Sequence, residues 1–454
     1  MGDVRVANAS RGVSTYAAKH VGLDSLLQWG LSLLLLAVPF HSVLVLPGVS
    51  VVKAIGFILA PIWLIWLVAA LGTRRGPWIM PRRNVCLTLS FGVFVCSILL
   101  SVLYAPTSPI FRTSLLTIVS FAAMAVVIYT LVSSEALLRR AYTCLALGGT
   151  VFGMLVIVQF VAPQEVAAIF GQRVFEESIG VRATGPFRDP NYGALTLVVL
   201  ACLSFFLALT QRRRWQRTLL LLGVSTELVA VLLTFSRAAY VLLGLMGLVV
   251  LWRERRRLRL WKVAIVATIG LVLLASFGEG LLTLATSRAG TLAEFVQLLG
   301  KDPGQARQLD LSLWYRFQLL RAGVKMAFDK FPIGVGWENF RYQVTRYSEE
   351  VPEQGAHNTY VAVGAELGLP GILSLAWLLW ALWGSTSRLC RIAQDRIGLL
   401  ARGTRYGLLA ILIGGLFLTV LHEAVVWALI GLIMAQNQVV FRAAKARETS
   451  VTVG

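Results

Sequence analysis

Residues 191–210 read NYGALTLVVLACLSFFLALT, twenty positions without a single Asp, Glu, Lys or Arg. As a helix rising about 1.5 Å per residue, this run covers the roughly 30 Å hydrocarbon core of a bilayer. A lipid-facing barrel strand would alternate apolar and polar positions, and an open sheet could not satisfy its backbone in lipid, so the run reads as a transmembrane helix. Outward from it, further apolar runs lie near 26–46, 51–72, 84–104, 113–133, 141–161, 217–235, 237–252, 261–278, 358–387, 405–421 and 424–441, giving about twelve spans. The run at 237–252 is short, and 358–387 is long and carries Gly368-Leu369-Pro370-Gly371, which predicts a kink or a half-helix. Composition agrees: 57% of the 454 residues are hydrophobic and 14% charged, against roughly 25% charged in soluble domains. The expected fold class is all-α, a polytopic membrane protein with about twelve transmembrane helices.

Lys and Arg in the short connections orient the spans. Arg74, Arg75, Arg82 and Arg83, then Arg212, Arg213, Arg214 and Arg217, then Arg253 to Lys262, then Arg388, Arg391, Arg396, Arg402 and Arg405 all fall on one side when the spans are counted. Arg139-Arg140, the arm 1–25 and the tail 442–454 fall there too, so both termini are expected in the cytoplasm. The arm is polar and the run after it is long enough to be a retained span rather than a cleaved signal. Much of the net charge of +20 is then explained by topology and contact with anionic lipid, and nucleic-acid binding is disfavoured because the basic clusters sit between spans. Cys86, Cys96, Cys144, Cys202 and Cys390 show neither metal nor redox spacing nor a disulfide framework. No internal repeat of the transporter kind is visible.

Expected on the outer side are the loop 162–190, the interval 279–356, and the pinched turns Ser236-Arg237 and His422-Glu423. In the long interval, helices are expected over about 281–299 and 311–330, the second with Leu313, Phe317, Leu320, Val324 and Phe328 on one apolar face. Arg237 lies at a membrane boundary on the side that positive charge normally avoids, which favours an anion site over an interfacial anchor. Arg316 on the second helix reads equally as a headgroup contact or a ligand. Arg182 and Arg188 flank Asp189, so a loop-stabilising ion pair competes with a binding role, and Asn191 is placed to cap the next span. His357 precedes Asn358 and Tyr360 where a span resumes, either as an interface residue or as an imidazole that takes a proton or holds a phosphate. It has no His or Cys partner at ligand spacing, so no metal is expected. His422-Glu423 reads as a polar turn. The spans hold few acidic residues, Glu227 the clearest and Glu366 near a boundary, which disfavours a transporter or flippase of anionic lipid but leaves it open.

Taken in order, Arg182, Gly185 and Pro190-Asn191, then Thr234-Phe235-Ser236-Arg237-Ala238, Trp314-Tyr315-Arg316, Pro332-Ile333-Gly334-Val335-Gly336, and His357-Asn358-Thr359-Tyr360 with Glu366-Leu367-Gly368 resemble the O-antigen ligase and polymerase (Wzy-like) superfamily. The resemblance covers roughly 180–372. It implies a metal-independent, inverting glycosyltransferase of the bacterial inner membrane, without cofactors and with its active site facing the periplasm. Its donor would be O-antigen glycan on undecaprenyl diphosphate and its acceptor a sugar hydroxyl of lipid A–core, or, in the polymerase branch, another lipid-linked repeat. A protein-glycosylating branch tends to be longer. In these terms 1–25 is a cytoplasmic arm, 26–278 carries transmembrane helices one to nine with the outer loop 162–190, 279–356 is a periplasmic helical loop, 357–441 holds the last three spans, and 442–454 is a tail. His357 is expected as general base, Arg237 and Arg316 as catalytic diphosphate ligands, and Arg182, Arg188, Asn191, Trp337, Asn358 and Tyr360 as substrate-binding residues.

Overall fold

The structure, a computed structural model, describes residues 22–46, 49–72, 82–104, 109–170, 175–177, 180–187, 189–254, 294–299, 301–392 and 396–453. Helices dominate it: α1 (Gly22–Phe40), α2 (Val51–Gly72), α3 (Arg82–Leu100), α4 (Pro109–Leu131), α5 (Glu135–Val161), α6 (Pro163–Phe170), α7 (Pro190–Thr210), α8 (Arg214–Leu233), α9 (Arg237–Glu254), α10 (Pro303–Leu309), α11 (Leu311–Asp329), α12 (Thr359–Ile392), α13 (Arg396–Gly414) and α14 (Ala424–Val453). Two small antiparallel ribbons are added, β1 (Leu44–Leu46) with β2 (Val49–Ser50) and β3 (Phe175–Glu177) with β4 (Gly180–Arg182). Among the described residues nine helices are long and apolar enough to cross a membrane, and Val85–Leu100 is a shorter apolar helix. The protein is a helical, multi-pass membrane protein. The expected span 261–278, most of the arm 1–25 and most of the expected helix 281–299 lie outside the described residues; 294–299 is helical.

α7 and α14 form the centre, with 83% and 89% of their apolar windows buried against 17% for α2. α7 packs against α5, α8 and α13. Glycines permit close approach: Gly403 and Gly407 of α13 have Phe206 Cβ and Val199 Cγ1 of α7 at 3.2 and 3.4 Å from where a Cβ would stand. Small residues at helix contacts are the usual device where lipid supplies no hydrophobic drive between helices.

Polar contacts sort the bundle into two ends. At one end Arg402 Nη1 donates to Glu254 Oε2 at 2.7 Å and Arg139 Nη2 to Gln211 Oε1 at 3.4 Å. At the other, Ser236 Oγ donates to Asn191 Oδ1 at 2.5 Å, Trp337 N to Ser101 Oγ at 3.2 Å and Asn358 Nδ2 to Leu416 O at 3.0 Å. The described parts of the connections expected on the outer side thus gather at one end, and Arg139, Gln211, Glu254 and Arg402 lie at the opposite end.

One expected boundary needs correction, and two elements gain detail. The expected span 405–421 ends at Gly414 and begins at Arg396. Beyond it the carbonyls of Gly415, Leu416 and Leu418 accept hydrogen bonds from Thr359 and Asn358 instead of continuing a helix. On α11 the stripe Phe317, Leu320, Val324 and Phe328 is exposed, Phe328 at 79%, while Trp314, Leu319, Ala322, Gly323 and Met326 are buried. The buried face is the one with small residues, where Gly323 approaches Phe340 and Val361. The expected tail 442–454 continues α14 to Val453.

The expected break in the long span is present. Gly368 leaves helical geometry at φ 60°, ψ −148° inside α12. The freed carbonyls of Ala365 and Glu366 accept Val335 N at 2.9 Å and Gly336 N at 2.7 Å, and Leu369 N donates to Pro332 O at 2.7 Å. The Pro332–Gly336 turn therefore stitches the kink. A Cβ at Gly368 would overlap Pro332 O, and its positive φ is one that L side chains rarely adopt.

Candidate functional site

At the end of the bundle where these loops meet lies an open cavity of about 630 Å³. Its walls come from the first turns of α7 (Pro190, Asn191) and α11 (Leu311, Ser312, Tyr315, Arg316), from Arg182 and Asp189 before α7, and from Gln354 and His357 before α12. Helix N-termini carry a positive partial charge, but Asp189 and Asp310 already cap these two starts, so an anion here would be held by the arginines of the wall.

Arg316 sits one and a half turns into α11 and is largely withdrawn from water; burial, then the repulsion of Arg237 and Arg182, holds its pKa below the usual arginine value, with Asp189 and Tyr192 acting the other way. Among the described residues it makes no ion pair. A guanidinium that has lost water without gaining a partner is costly unless an anion arrives. Arg237 is the first residue of α9, which Ser236 caps by accepting Ala239 N at 3.2 Å. It is already engaged: Nη1 donates to Asp310 Oδ2 at 2.5 Å. Asp310 also caps α11 by accepting Leu313 N at 3.0 Å. Burial works to raise its pKa, but the bonds from Arg237 and from α11 outweigh this and hold the carboxyl below its ordinary range. Arg237 thus enters beside Arg316 as part of a pair that fixes the start of α11. Arg182 Nε donates to Thr234 O at 3.2 Å, tying the loop before α7 to the α8–α9 turn.

His357 occupies a left-handed backbone conformation, φ 48°, and its Nδ1 is buried without a hydrogen-bond partner. Phe235 and Glu338 are also non-glycine residues at positive φ, 49° and 62°. Each costs of order 1–3 kcal/mol, and such conformations concentrate at functional sites. Burial first, then the charge of Arg316, lowers the pKa of His357 below its ordinary 6.5, with Asp189 pulling the other way. The imidazole is accordingly neutral at neutral pH, as a base must be.

The structure places the remaining expected residues as follows. Asn191 lines the cavity, but the cap of α7 is Asp189, whose Oδ1 accepts Asn191 N at 2.8 Å and Asn191 Nδ2 at 2.6 Å. Asn358 is committed to structure: its Oδ1 accepts Tyr360 N and Val361 N at 3.0 and 3.1 Å, and its Nδ2 binds Leu416 O. Tyr360 donates to Leu412 O at 2.7 Å and faces a small apolar cavity of about 40 Å³ between α12, α13 and α14. Trp337 is buried behind His422, ring centroids 5.3 Å apart. Arg188 lies outside the described residues.

Several residues at this end were not singled out for it in the sequence. Asp189 faces the cavity, and Asp310 lies far from Arg237 in the chain. His422 Nε2 lies 2.7 Å from Glu338 Oε1, and Glu423 approaches His41 Nε2 at 3.4 Å, so His422-Glu423 is more than a polar turn. Burial, then Asp189, raises the pKa of Glu423 to about 8. The available signal was the placement of Asp189, Asp310, His422 and Glu423 at the edges of helices.

Comparison with curated proteins returned no match. Residues 222–376, about a third of the chain running from α8 to just beyond the kink of α12, match the family model described as O-antigen ligase (Wzy_C), so this stretch carries a domain of the O-antigen ligase/polymerase kind.

Proposed function

We propose that the chain is an O-antigen ligase that moves glycan from undecaprenyl diphosphate to a sugar hydroxyl of lipid A–core on the periplasmic face of the bacterial inner membrane. Arg316 carries the proposal: a partly buried guanidinium that makes no ion pair among the described residues, in a cavity whose far wall is a neutral histidine. Arg316 receives the donor diphosphate, with Arg237 beside it and Arg182 assisting. The paired N–H groups of a guanidinium match phosphate oxygens and stabilise the charge that grows on the leaving group. His357 takes the proton of the acceptor hydroxyl as its oxygen bonds to the anomeric carbon. The bond from that carbon to the phosphate oxygen breaks, the electron pair leaves on the diphosphate, and the configuration inverts. The gathering of charged groups at one end of the bundle supports a surface-facing enzyme over a transporter, which would distribute ionisable groups along a central path. Glu227, the clearest intramembrane carboxyl, is instead sealed beneath Gly149 with Ser204 Oγ donating to Oε1 at 3.1 Å.

The test is purified protein with a polyprenyl-diphosphate-linked glycan and lipid A–core in the presence of a chelator. Glycan on lipid A–core with release of polyprenyl diphosphate is the expected result. Longer glycan still on polyprenyl diphosphate would make the protein a polymerase. Accumulation of an unmodified lipid or solute in sealed vesicles, with no bond changed, would overturn glycosyl transfer.

The pH dependence follows from the surroundings of His357. A base works in its neutral form, so activity is present above its pKa and is lost as pH falls through it. The acid limb of kcat/KM, which reports the free enzyme, is expected below 6.5. Bound diphosphate adds negative charge nearby, so the limb of kcat should lie at higher pH than that of kcat/KM. Coincident limbs, or a kcat/KM limb above 7, would count against His357 as the base.

A further inference from the structure

His357 is a wall between two cavities. Behind it lies a second, smaller one of about 130 Å³, lined by Tyr192, Glu338, Arg341, Glu366 and His422. The two differ in chemistry. The larger holds Arg182 and Arg316 with one carboxyl, Asp189; the smaller holds one arginine, Arg341, with His422 and two carboxyl side chains, one of them nearly inaccessible.

Glu338 is held in place from several directions. Its backbone is left-handed at φ 62°, and its Oε1 lies 2.7 Å from His422 Nε2. Burial opposes its ionisation, but His422 and Arg341, with a hydrogen bond from Ser114, keep the carboxyl below its ordinary range. Glu366 Oε1 accepts Phe340 N at 3.2 Å, which fixes the backbone just after Glu338. The Glu338 and His422 side chains remain 17% and 29% exposed, so a ligand can reach them.

Arg341 in this wall is offset by the Glu338 carboxylate, so a diphosphate gains less here than beside Arg182 and Arg316. A neutral polyol suits it better: its hydroxyls donate, and an ionised carboxylate only accepts, with charge-assisted bonds roughly twice as strong as neutral ones. Resting on the glycosyl-transfer reading above, we propose that this smaller cavity is the acceptor subsite, taking the sugar ring that carries the attacking hydroxyl. Glu338 accepts from hydroxyls flanking the nucleophile, and His422 orients Glu338. The volume suits one ring and not a longer glycan. Donor anion and acceptor polyol thus approach His357 from opposite sides, and the proton passes to the imidazole where they meet.

The test uses full-length protein in detergent, with lipid A–core and a polyprenyl-diphosphate glycan as separate probes for binding and together for turnover. Glu338→Gln keeps the shape and removes the charge. It is expected to weaken lipid A–core binding and raise the acceptor KM about tenfold or more, with donor affinity within twofold of the unsubstituted protein. Retained donor affinity also shows that the variant folds. His422→Asn should give the same split to a smaller degree. Unchanged acceptor KM in Glu338→Gln, or a loss falling equally on donor and acceptor, would overturn the subsite while leaving glycosyl transfer standing. Unsubstituted protein that binds both probes and joins them under no condition would remove the glycosyl-transfer reading, and the subsite with it.

Discussion

His357→Ala is expected to lower transfer about 10²–10⁴-fold, the range a positioned general base contributes, while donor affinity stays within a fewfold. The separation of the two effects is the diagnostic part. His357 borders the cavity that holds Arg316 and Asp189, and its pKa is lowered by burial and by the Arg316 charge. A cationic imidazole would add to the attraction for a diphosphate, but a neutral one contributes little beyond a hydrogen bond. Removing it should cost the chemical step and spare the ground state. Donor affinity measured by calorimetry in detergent, beside single-turnover transfer, distinguishes the cases. Equal loss in both would make His357 a phosphate ligand and leave the base to be found elsewhere.

Arg316→Ala is expected to lower kcat/KM about 10²–10³-fold, as removal of one preorganised donor to developing negative charge does. Arg316→Lys should recover only part of this, because lysine keeps the charge but loses the planar fork. Arg237→Lys should be milder. Arg237 is engaged by Asp310, and a lysine can keep that pair while still presenting charge beside the cavity. The order Arg316→Ala, then Arg316→Lys, then Arg237→Lys in falling severity is checked by steady-state kinetics on protein of unchanged thermal stability. A larger loss from Arg237→Lys than from Arg316→Lys would exchange their roles and mean that the diphosphate displaces Asp310.

Most of the secondary structure was legible. The runs near 51–72 and 191–210 correspond to α2 and α7 within a residue, because a long, predominantly apolar run in lipid has one way to satisfy its backbone. The kink was legible too, since Gly368 and Pro370 disfavour an unbroken helix. Which face of α11 packs inward was left open by its apolar stripe. Apolar spacing marks a core only when the alternative is water, and in a membrane protein the lipid-facing exterior is equally apolar. Small side chains at 322 and 323, not hydrophobicity, separate its buried face from the stripe through Phe328.

The candidate site divides in the same way. Residue type and position at span boundaries brought forward Arg237 and His357, because a charge or imidazole at the edge of a bilayer is costly without a use; Arg316 and Arg182 kept competing readings until the order of motifs joined them to the others. The roles of Asp310, Asp189, Glu338 and His422 come from bundle topology, which joins the starts of α7, α9, α11 and α12 and the turn before α14 at one end. Asn358 and Tyr360 show the converse, since their polar atoms are taken up by α12 and by the residues around Leu412 and Leu416. The amino-acid order alone established a multi-pass helical protein with cationic and imidazole groups at its polar boundaries, since lipid constrains each segment locally. Which of those groups meet, and which remain unpaired to face a ligand, was settled by packing between segments far apart in the chain, because ion pairing depends on distance in space.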